Sequence, residues 1–552
     1  MNPYGGLAGG LAGGIAIPGF AAARERAEQR IRTDARLWVG LAAILLVGAV
    51  VRLWGINSVG FNNDEAVYAG QGAALASDPI YSGLFAIFRA HPLLVQFLYS
   101  ISFRIVGVND VSPRIISIGF GLAAIALAYA TGALLYGRRA GLIAATILAL
   151  MPYQVIVTRQ ALLDGPETTL FLLSMYMVAR YARGSESRWL YGAAFTMGLT
   201  VLAKETAVLI VPVAVAFLLL VPEVHIKLRS QLLCLALFVI AFAPYPLAIL
   251  IGKGTGAAGS FVLWQVLRQP NHTWTFYGDI LPGAVGPMVF LAAVAGLVYA
   301  LRRGAWEDRL LFCWIAVPVA FFELWPVKGY QYLLPISPAI AILAALALDR
   351  LIRRAELITD RPAGEETAAD APAATRRPRP SRRIAVGATA VLLAATIASI
   401  AIPSVMAVNT TSMSGSLAGT GGLPGGRDAG LWIKANVPQG ASFMTTGPTL
   451  ANIIEFYGQR AAYGLSVSPN PLRRNPAYDA IPNPDRAIQL NQIQYVATDI
   501  WSAQRSPFFD ALLRKYVARY HGVLAYQQSA QVRDSSGNLS TQVVIQIYEV
   551  RP

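Results

Sequence analysis

Two cysteines, Cys234 and Cys313, are all that 552 residues contain. Both fall inside apolar runs, so neither a disulfide framework nor a redox role is expected. Histidine is almost as scarce, at four residues. His91 and His272 sit in loops, and without an HExxH or a clustered ligand spacing they do not read as a metal site. Charged residues make up 14% of the chain, well below the roughly 25% of a soluble protein. No Walker A loop, Rossmann glycine fingerprint or GxSxG elbow occurs, which speaks against cytosolic nucleotide use and serine-hydrolase chemistry. Met1 to Phe20 lacks a charged region ahead of an apolar core, so it reads as a disordered cytoplasmic tail and not a cleaved leader.

What is present is apolar. Hydrophobic residues are 55% of the chain and the mean hydropathy is +0.49, values of a membrane protein. Stretches able to cross about 30 Å of hydrocarbon recur, at 37–54, 112–135, 140–158, 165–182, 189–203, 206–222, 230–251, 285–301, 309–325, 331–349 and 384–406. The net charge of +15 is not a nucleic-acid signature, because Lys and Arg sit in short loops between apolar runs rather than in one patch. Putting those loops on the cytoplasmic side requires that 92–107 not cross. It is short and carries Arg104, so it is expected to be an interfacial or re-entrant helix. The fold expected is mainly α, with about eleven transmembrane helices, an interfacial helix in a first outer loop 55–111, and an extracytoplasmic C-terminal α/β domain. Its parts are a tail 1–36, a catalytic membrane domain 37–350, a disordered linker 351–383, a last span 384–406, a Gly/Ser-rich tether 407–426 and the soluble domain 427–552. Within that domain helices are expected near 428–436, 449–457 and 507–519, and strands near 441–446, 493–499, 522–527 and 542–549.

Unusual polar residues gather in the outer loops. Asn62-Asn63-Asp64-Glu65 opens the first, followed at helical spacing by Tyr68. Two carboxylates where a span leaves the bilayer could act on a lipid-linked substrate, or could simply cap a helix whose dipole favours acids at its start. Arg159 and Asp164 end another span, either as a mutual salt bridge or as a phosphate fork with its buttress. Lys204-Glu205 and Lys328-Gly329-Tyr330-Gln331-Tyr332 put cations where the positive-inside rule makes them less common. Snorkelling explains any single lysine; their convergence with Arg114 and Arg159 argues for an anionic ligand.

In this order the residues resemble the integral-membrane GT-C glycosyltransferases, in the branch of the protein O-mannosyltransferases and the lipid A aminoarabinose transferase. The run is Asn63-Asp64-Glu65-Ala66-Val67-Tyr68-Ala69, His91-Pro92-Leu93, Ser112-Pro113-Arg114, Arg159 with Leu162-Leu163-Asp164, Leu202-Ala203-Lys204-Glu205, and Lys328-Gly329 before Leu333-Leu334-Pro335. The resemblance covers about residues 37 to 350. It implies sugar transfer from a polyprenyl-phosphate donor on the outer face, with Asp64 at the family's essential acidic position. Arg114, Arg159, Lys204 and Lys328 stand at matching positions for conserved or donor-phosphate-binding groups. The aminoarabinose transferase has Glu-Lys-Pro where this chain has Ala90-His91-Pro92, so its metal-binding Glu is missing. No metal ligand is assigned, and a divalent cation is left open as a cofactor.

The reading is therefore an inverting glycosyltransferase of the plasma (bacterial inner) membrane, multi-pass, with a cytoplasmic N-terminus and an extracytoplasmic C-terminal domain. Asp64 and Glu65 are the catalytic candidates. Arg114, Arg159, Asp164, Lys204, Lys328, Tyr332, Tyr68 and His91 are the donor and substrate candidates. Its partners are a polyprenyl-phosphate-linked sugar, a lipid, glycan or protein acceptor, and membrane lipids, with no nucleic acid. The alternatives are a flippase of lipid-linked sugar, which predicts ionisable groups inside spans and inverted repeats, and an anchored scaffold.

Overall fold

The computed structural model describes residues 18–85, 87, 91–251, 264, 267–268, 270–359, 382–409, 423–470, 473–474, 478–533 and 538–552. The expected tail Met1–Phe20, the linker 351–383 and the tether 407–426 lie for the most part outside the described residues. Up to residue 251 the helices are α1 (Pro18–Leu53), α2 (Asn63–Leu75), α3 (Pro79–Leu84), α4 (Leu94–Val106), α5 (Ser112–Tyr136), α6 (Arg138–Leu150), α7 (Pro152–Thr158), α8 (Asp164–Gly184), α9 (Ser187–Ala203), α10 (Ile210–Leu220), α11 (Leu228–Phe242) and α12 (Pro244–Ile251). Beyond it come Phe276–Val285, Pro287–Arg303, Trp306–Leu324, a 3₁₀ turn Tyr330–Ile336 leading into Ser337–Thr359, and Arg382–Asn409.

Among the described residues four helical stretches are long and apolar enough to cross a membrane: Ala35–Leu53, Ser112–Tyr136, Tyr330–Leu357 and Val386–Asn409. Two bent pairs raise the number to six, α6 with α7 (57°) and Phe276–Val285 with Pro287–Arg303 (106°). The other expected spans coincide with helices that are shorter or more charged, so helix length alone does not yield eleven crossings. At 13 residues, α4 reaches only about 20 Å and cannot cross by itself.

The bend between α6 and α7 has an identifiable cause. Pro152 has no N–H to give the carbonyl of Leu148, and it turns Met151 to extended backbone. Arg52 of α1, wholly buried, supplies what is missing. Its Nη2 donates to Leu148 O (3.4 Å), its Nη1 to Ala149 O (2.9 Å) and its Nε to Thr158 Oγ1 (2.9 Å). Those bonds tie both halves of the bent span to α1 and set where the loop after α7 begins. Just before the bend, α5 and α6 meet through Gly132 and Gly141, where a Cβ added to Gly132 would sit 3.0 Å from the Gly141 Cα, the close backbone approach that small residues permit.

The C-terminal part is a five-stranded sheet, β1 (Ser442–Thr445), β2 (Ala461–Gly464), β3 (Tyr495–Asp499), β4 (Val523–Arg533) and β5 (Leu539–Glu549), in the order β2-β1-β3-β5-β4. The first three are parallel and β5 runs antiparallel to β3, with Val496 opposite Tyr548. Four strands fall where alternation predicted them. The strand β2 is additional; its four residues, Ala-Ala-Tyr-Gly, carry too little apolar pattern to announce it. The helix Pro448–Ile453 runs on into a π turn, Ile454–Gly458.

That turn seats the domain on the first loop. Phe61 packs against Phe456 (ring centroids 4.9 Å) and Tyr457 (6.0 Å). The Tyr457 hydroxyl accepts from the Phe61 amide (2.9 Å) and donates to Asp110 (3.0 Å). Tyr81 donates to Phe456 O (2.9 Å), and Arg427 bonds Asn57 and Asp110. The apolar core is continuous across this junction.

Candidate active site

The two adjacent carboxylates of the first loop have opposite surroundings. Glu65 is 1% exposed. It completes a capping box with Asn62 at the start of α2 and takes a two-pronged ion pair from Arg114, Nε at 2.8 Å and Nη2 at 2.9 Å. It also accepts from the Ala161 amide (2.8 Å), which ties α2, α5 and the loop 159–163 together. Asp64, one residue earlier, is only half-buried. Its single hydrogen bond among the described residues comes from the Asn63 side chain (3.0 Å). Both oxygens therefore keep acceptor capacity, and they face a cluster of charged and phenolic groups. Burial holds the Asp64 carboxyl above its ordinary value, helped by Asp164 and opposed by Asn63, His91 and Lys204.

Around it, Lys204 donates from Nζ to Asp164 (2.6 Å), lies 3.5 Å from Glu167 and sits 5.1 Å from the Tyr332 ring centre. All three charged groups are buried. Burial works against the Lys204 ammonium, but the two carboxylates outweigh it and raise its pKa. His91 bonds Glu205 through Nδ1 (3.0 Å) and stands edge-on to Tyr68 (5.6 Å). Burial again disfavours the charged imidazole, yet Glu205 outweighs it and raises His91. The Tyr68 phenol is raised by burial and by its acidic neighbours Asp64, Asp164 and Glu205. The structure thus brings Asp64, Tyr68, His91, Asp164, Lys204 and Tyr332 together from five separate stretches of chain, Asp64 and Tyr68 sharing α2.

The other cations expected near a phosphate are placed differently. Arg114 has all five N–H groups engaged, two by Glu65 and three by the carbonyls of Ile56, Val59 and Gly60. Lys328 spends its ammonium on its own turn, on Phe322 O, Glu323 O and the Glu323 carboxylate. Arg159 does not pair with Asp164, which belongs to Lys204. It donates to Trp54 O (2.6 Å), and burial and Arg114 lower it to about 10. Arg268 went unremarked in the sequence. It is half-buried over Trp264 (4.6 Å) and lies within electrostatic reach of Tyr332. Glu167 was legible in principle, being three residues after Asp164 on one helix face. Asn452 was not: it donates to Asn63 Oδ1 (2.6 Å) from the other domain.

Among the described residues no three His, Cys, Asp or Glu side chains gather in a metal-holding arrangement. The cation at the centre of the cluster is a lysine, Lys204.

Comparison with known proteins bears on the fold and on part of the sequence. The family described as dolichyl-phosphate-mannose-protein mannosyltransferase matches residues 90–248. A curated relative from Pectobacterium carotovorum, the undecaprenyl phosphate-alpha-4-amino-4-deoxy-L-arabinose arabinosyl transferase, is 26% identical over 287 residues, 48% of this chain and 51% of its own. The crystal structure of ArnT from Cupriavidus metallidurans in the apo state superposes with a TM-score of 0.65 at 16% identity, covering 93% of this chain and 98% of that one. The chain is similar in sequence to these membrane glycosyltransferases over part of its length, and it has the fold of ArnT over most of it. The crystal structure of the Archaeoglobus fulgidus oligosaccharyltransferase in the apo form superposes with a TM-score of 0.60 at 16% identity, over 92% of this chain and 74% of that one. ArnT has also been solved bound to undecaprenyl phosphate. The chain spans about half the length of the curated relatives it matches.

Proposed function

We propose that the protein transfers a sugar from a polyprenyl-phosphate donor to an acceptor hydroxyl, with inversion, on the extracytoplasmic face of the plasma membrane. The observation that carries the reading is the contrast between Asp64 and Glu65. One carboxylate is consumed by the fold, and the other is held desolvated, with open acceptor sites, in a cluster of ionisable groups. A base needs hydrogen-bond reach and a pKa drawn toward the working pH, and Asp64 has the second and room for the first.

In this mechanism Asp64 takes the proton of the acceptor hydroxyl as its oxygen attacks the anomeric carbon. The bond from that carbon to the donor phosphate breaks, and the polyprenyl phosphate leaves with the electron pair. Cations in a water-poor site stabilise such a leaving group strongly. The half-buried Arg268 and partly exposed Arg159 are the guanidinium groups with capacity left for it, and His91, whose charged form Glu205 favours, stands beside the same cluster. Lys204 keeps Asp164 and Glu167 compensated and presses on Tyr332, fixing the wall opposite Asp64. Arg114 and Lys328 act as buttresses of their loops.

The test is sugar transfer in membranes carrying wild type or Asp64→Asn, with labelled polyprenyl-phosphate sugars and native acceptor extract. Loss of transfer in a variant that accumulates normally is the expected result. Equal transfer by both removes Asp64 as base.

A further inference from the structure

The C-terminal domain reaches the candidate base through a pair of amides. Asn452, 3% exposed, donates from Nδ2 to Asn63 Oδ1 (2.6 Å), and Asn63 donates from its own Nδ2 to Asp64 Oδ1 (3.0 Å). A side-chain amide accepts at one end and donates at the other, whereas a carboxylate only accepts. Asp64 therefore favours the N–H end of Asn63. That leaves the Asn63 oxygen to meet a donor, and Asn452 supplies one. Turned over, Asn63 would set its oxygen against the Asp64 oxygens and its N–H against that of Asn452, two repulsive contacts in place of two hydrogen bonds. The direction of the chain is thus fixed from both ends.

Asn452 is held in place by the seat of its domain. It stands about one turn before Phe456 and Tyr457, which hold Phe61 by ring contacts and by the Tyr457 hydrogen bond to the Phe61 amide. Phe61 in turn lies two residues before Asn63, so both amides are anchored at the same junction. Among the described residues the titratable groups facing Asp64 are Tyr68 of α2, His91, Asp164 of α8, Lys204 and Tyr332. Burial, and after it Asp164, opposes the carboxylate form of Asp64; the Asn63 hydrogen bond, His91 and Lys204 favour it. Asn452 adds no charge to this balance, so a change there acts through the amide.

We infer that Asn452 is a positioning residue of the transfer reaction: by holding the Asn63 oxygen it keeps the Asn63 N–H on Asp64, and the C-terminal domain thereby completes the base. The inference rests on the transferase reading for its part in catalysis, while the protonation of Asp64 can be followed without any transfer.

The experiment follows the Asp64 carboxyl by infrared titration of the full chain in lipid nanodiscs, as the difference between each protein and its Asp64→Asn counterpart. Asn452→Ala and the size-matched Asn452→Leu both remove the donor, so one stays informative where the other fails to accumulate. Each is expected to move the Asp64 titration upward by about one pH unit, the scale of one hydrogen bond to a carboxylate. Asn63→Ala should move it at least as far, and adding Asn452→Ala to Asn63→Ala should move it no further. Tyr457→Phe loosens the same junction without touching Asn63; it is expected to lower the melting point and leave the titration in place. In transfer assays the acid limb of kcat/KM should shift with the titration in the Asn452 variants. A titration unmoved in both Asn452 variants, an equal shift in Tyr457→Phe, an additive double variant, or an acid limb that stays while the titration moves overturns the inference. If the titration moves as expected but wild type transfers nothing, the amide relay stands and the transferase reading falls.

Discussion

At the scale of single residues the decisive comparison is between neighbours. Asp64→Asn is expected to lower kcat/KM by about 10²- to 10⁴-fold, the usual worth of a positioned base. In wild type the acid limb of the pH profile should lie above the ordinary carboxyl value of 3.8, because burial raises this group. The stability sign follows from the same shift. A carboxyl raised on folding favours the native state below its unfolded pKa and loses that advantage as pH climbs through the folded one. Asp64→Asn should therefore melt no lower than wild type at neutral pH, which scanning fluorimetry against pH would show. Glu65→Gln behaves oppositely. It strips Arg114 of a buried partner, a loss of about 3–5 kcal/mol, so reduced accumulation and a lower melting point are expected. A stable, inactive Glu65→Gln would return Glu65 to the catalytic group. The pair was visible in the sequence as a pair; its division of labour was not, because Arg114 lies 49 residues from Glu65. The same distance problem hid the saturation of Lys328, whose partners look like ordinary turn residues until the turn is built.

Elements carry the next level of control. Spans were read from apolar runs, and each run does correspond to a helix or a bent pair, because the need to satisfy backbone groups in hydrocarbon leaves little else. The bends themselves followed from Pro152 and from Gly286, whose φ of +93° a residue with Cβ resists. What could not be read was Arg52. An arginine late in an apolar helix reads as a snorkelling end-marker, whereas here it is a hydrogen-bond cap for another helix. An ionisable group inside a span would favour the flippase alternative, but this one is spent on carbonyls. Arg52→Met removes donors from Leu148 O and Ala149 O and is expected to cost about 1–3 kcal/mol per carbonyl left unpaired. Arg52→Lys should recover part of the loss. If Arg52→Met melts with wild type, the bend is held by Pro152 alone. The Lys204 cluster gives a second test at this scale, since Asp164, Glu167 and Lys204 join α8 to the end of α9. Lys204→Met strands two buried acids, and Asp164→Asn in addition should restore stability. A double-mutant cycle in thermal unfolding should show coupling of roughly 0.5–3 kcal/mol, and strict additivity would dissolve the proposed pair.

For the whole molecule the question is which side of the membrane the site faces, and the helices allow a direct argument. Asp164 opens α8 and Lys204 follows α9, so both lie at one end of this helix hairpin. The 21 residues of α8 span about 32 Å at 1.5 Å each, which places the turn at Ser187 a membrane's thickness away. The C-terminal domain sits at the Asp164 end, because Asn452 and Tyr457 bond residues of the first loop. The domain and the site must therefore share a side, and the Ser187 turn must occupy the other. We propose the assignment from the basic residues: Arg180, Arg183 and Arg188 flank that turn, and such clusters favour the cytoplasmic side. Single cysteines at exposed Gln439 and Ser187, in a background with Cys234 and Cys313 replaced, test this with a membrane-impermeant maleimide. In intact spheroplasts Gln439→Cys should label and Ser187→Cys should not, and permeabilisation should expose Ser187→Cys. The reverse pattern inverts the whole molecule and puts the candidate site in the cytoplasm, where the donor assigned here would have to be presented from the opposite leaflet. Labelling of both positions in intact cells would break the shared hairpin itself, because one α8 cannot leave both of its ends on one side.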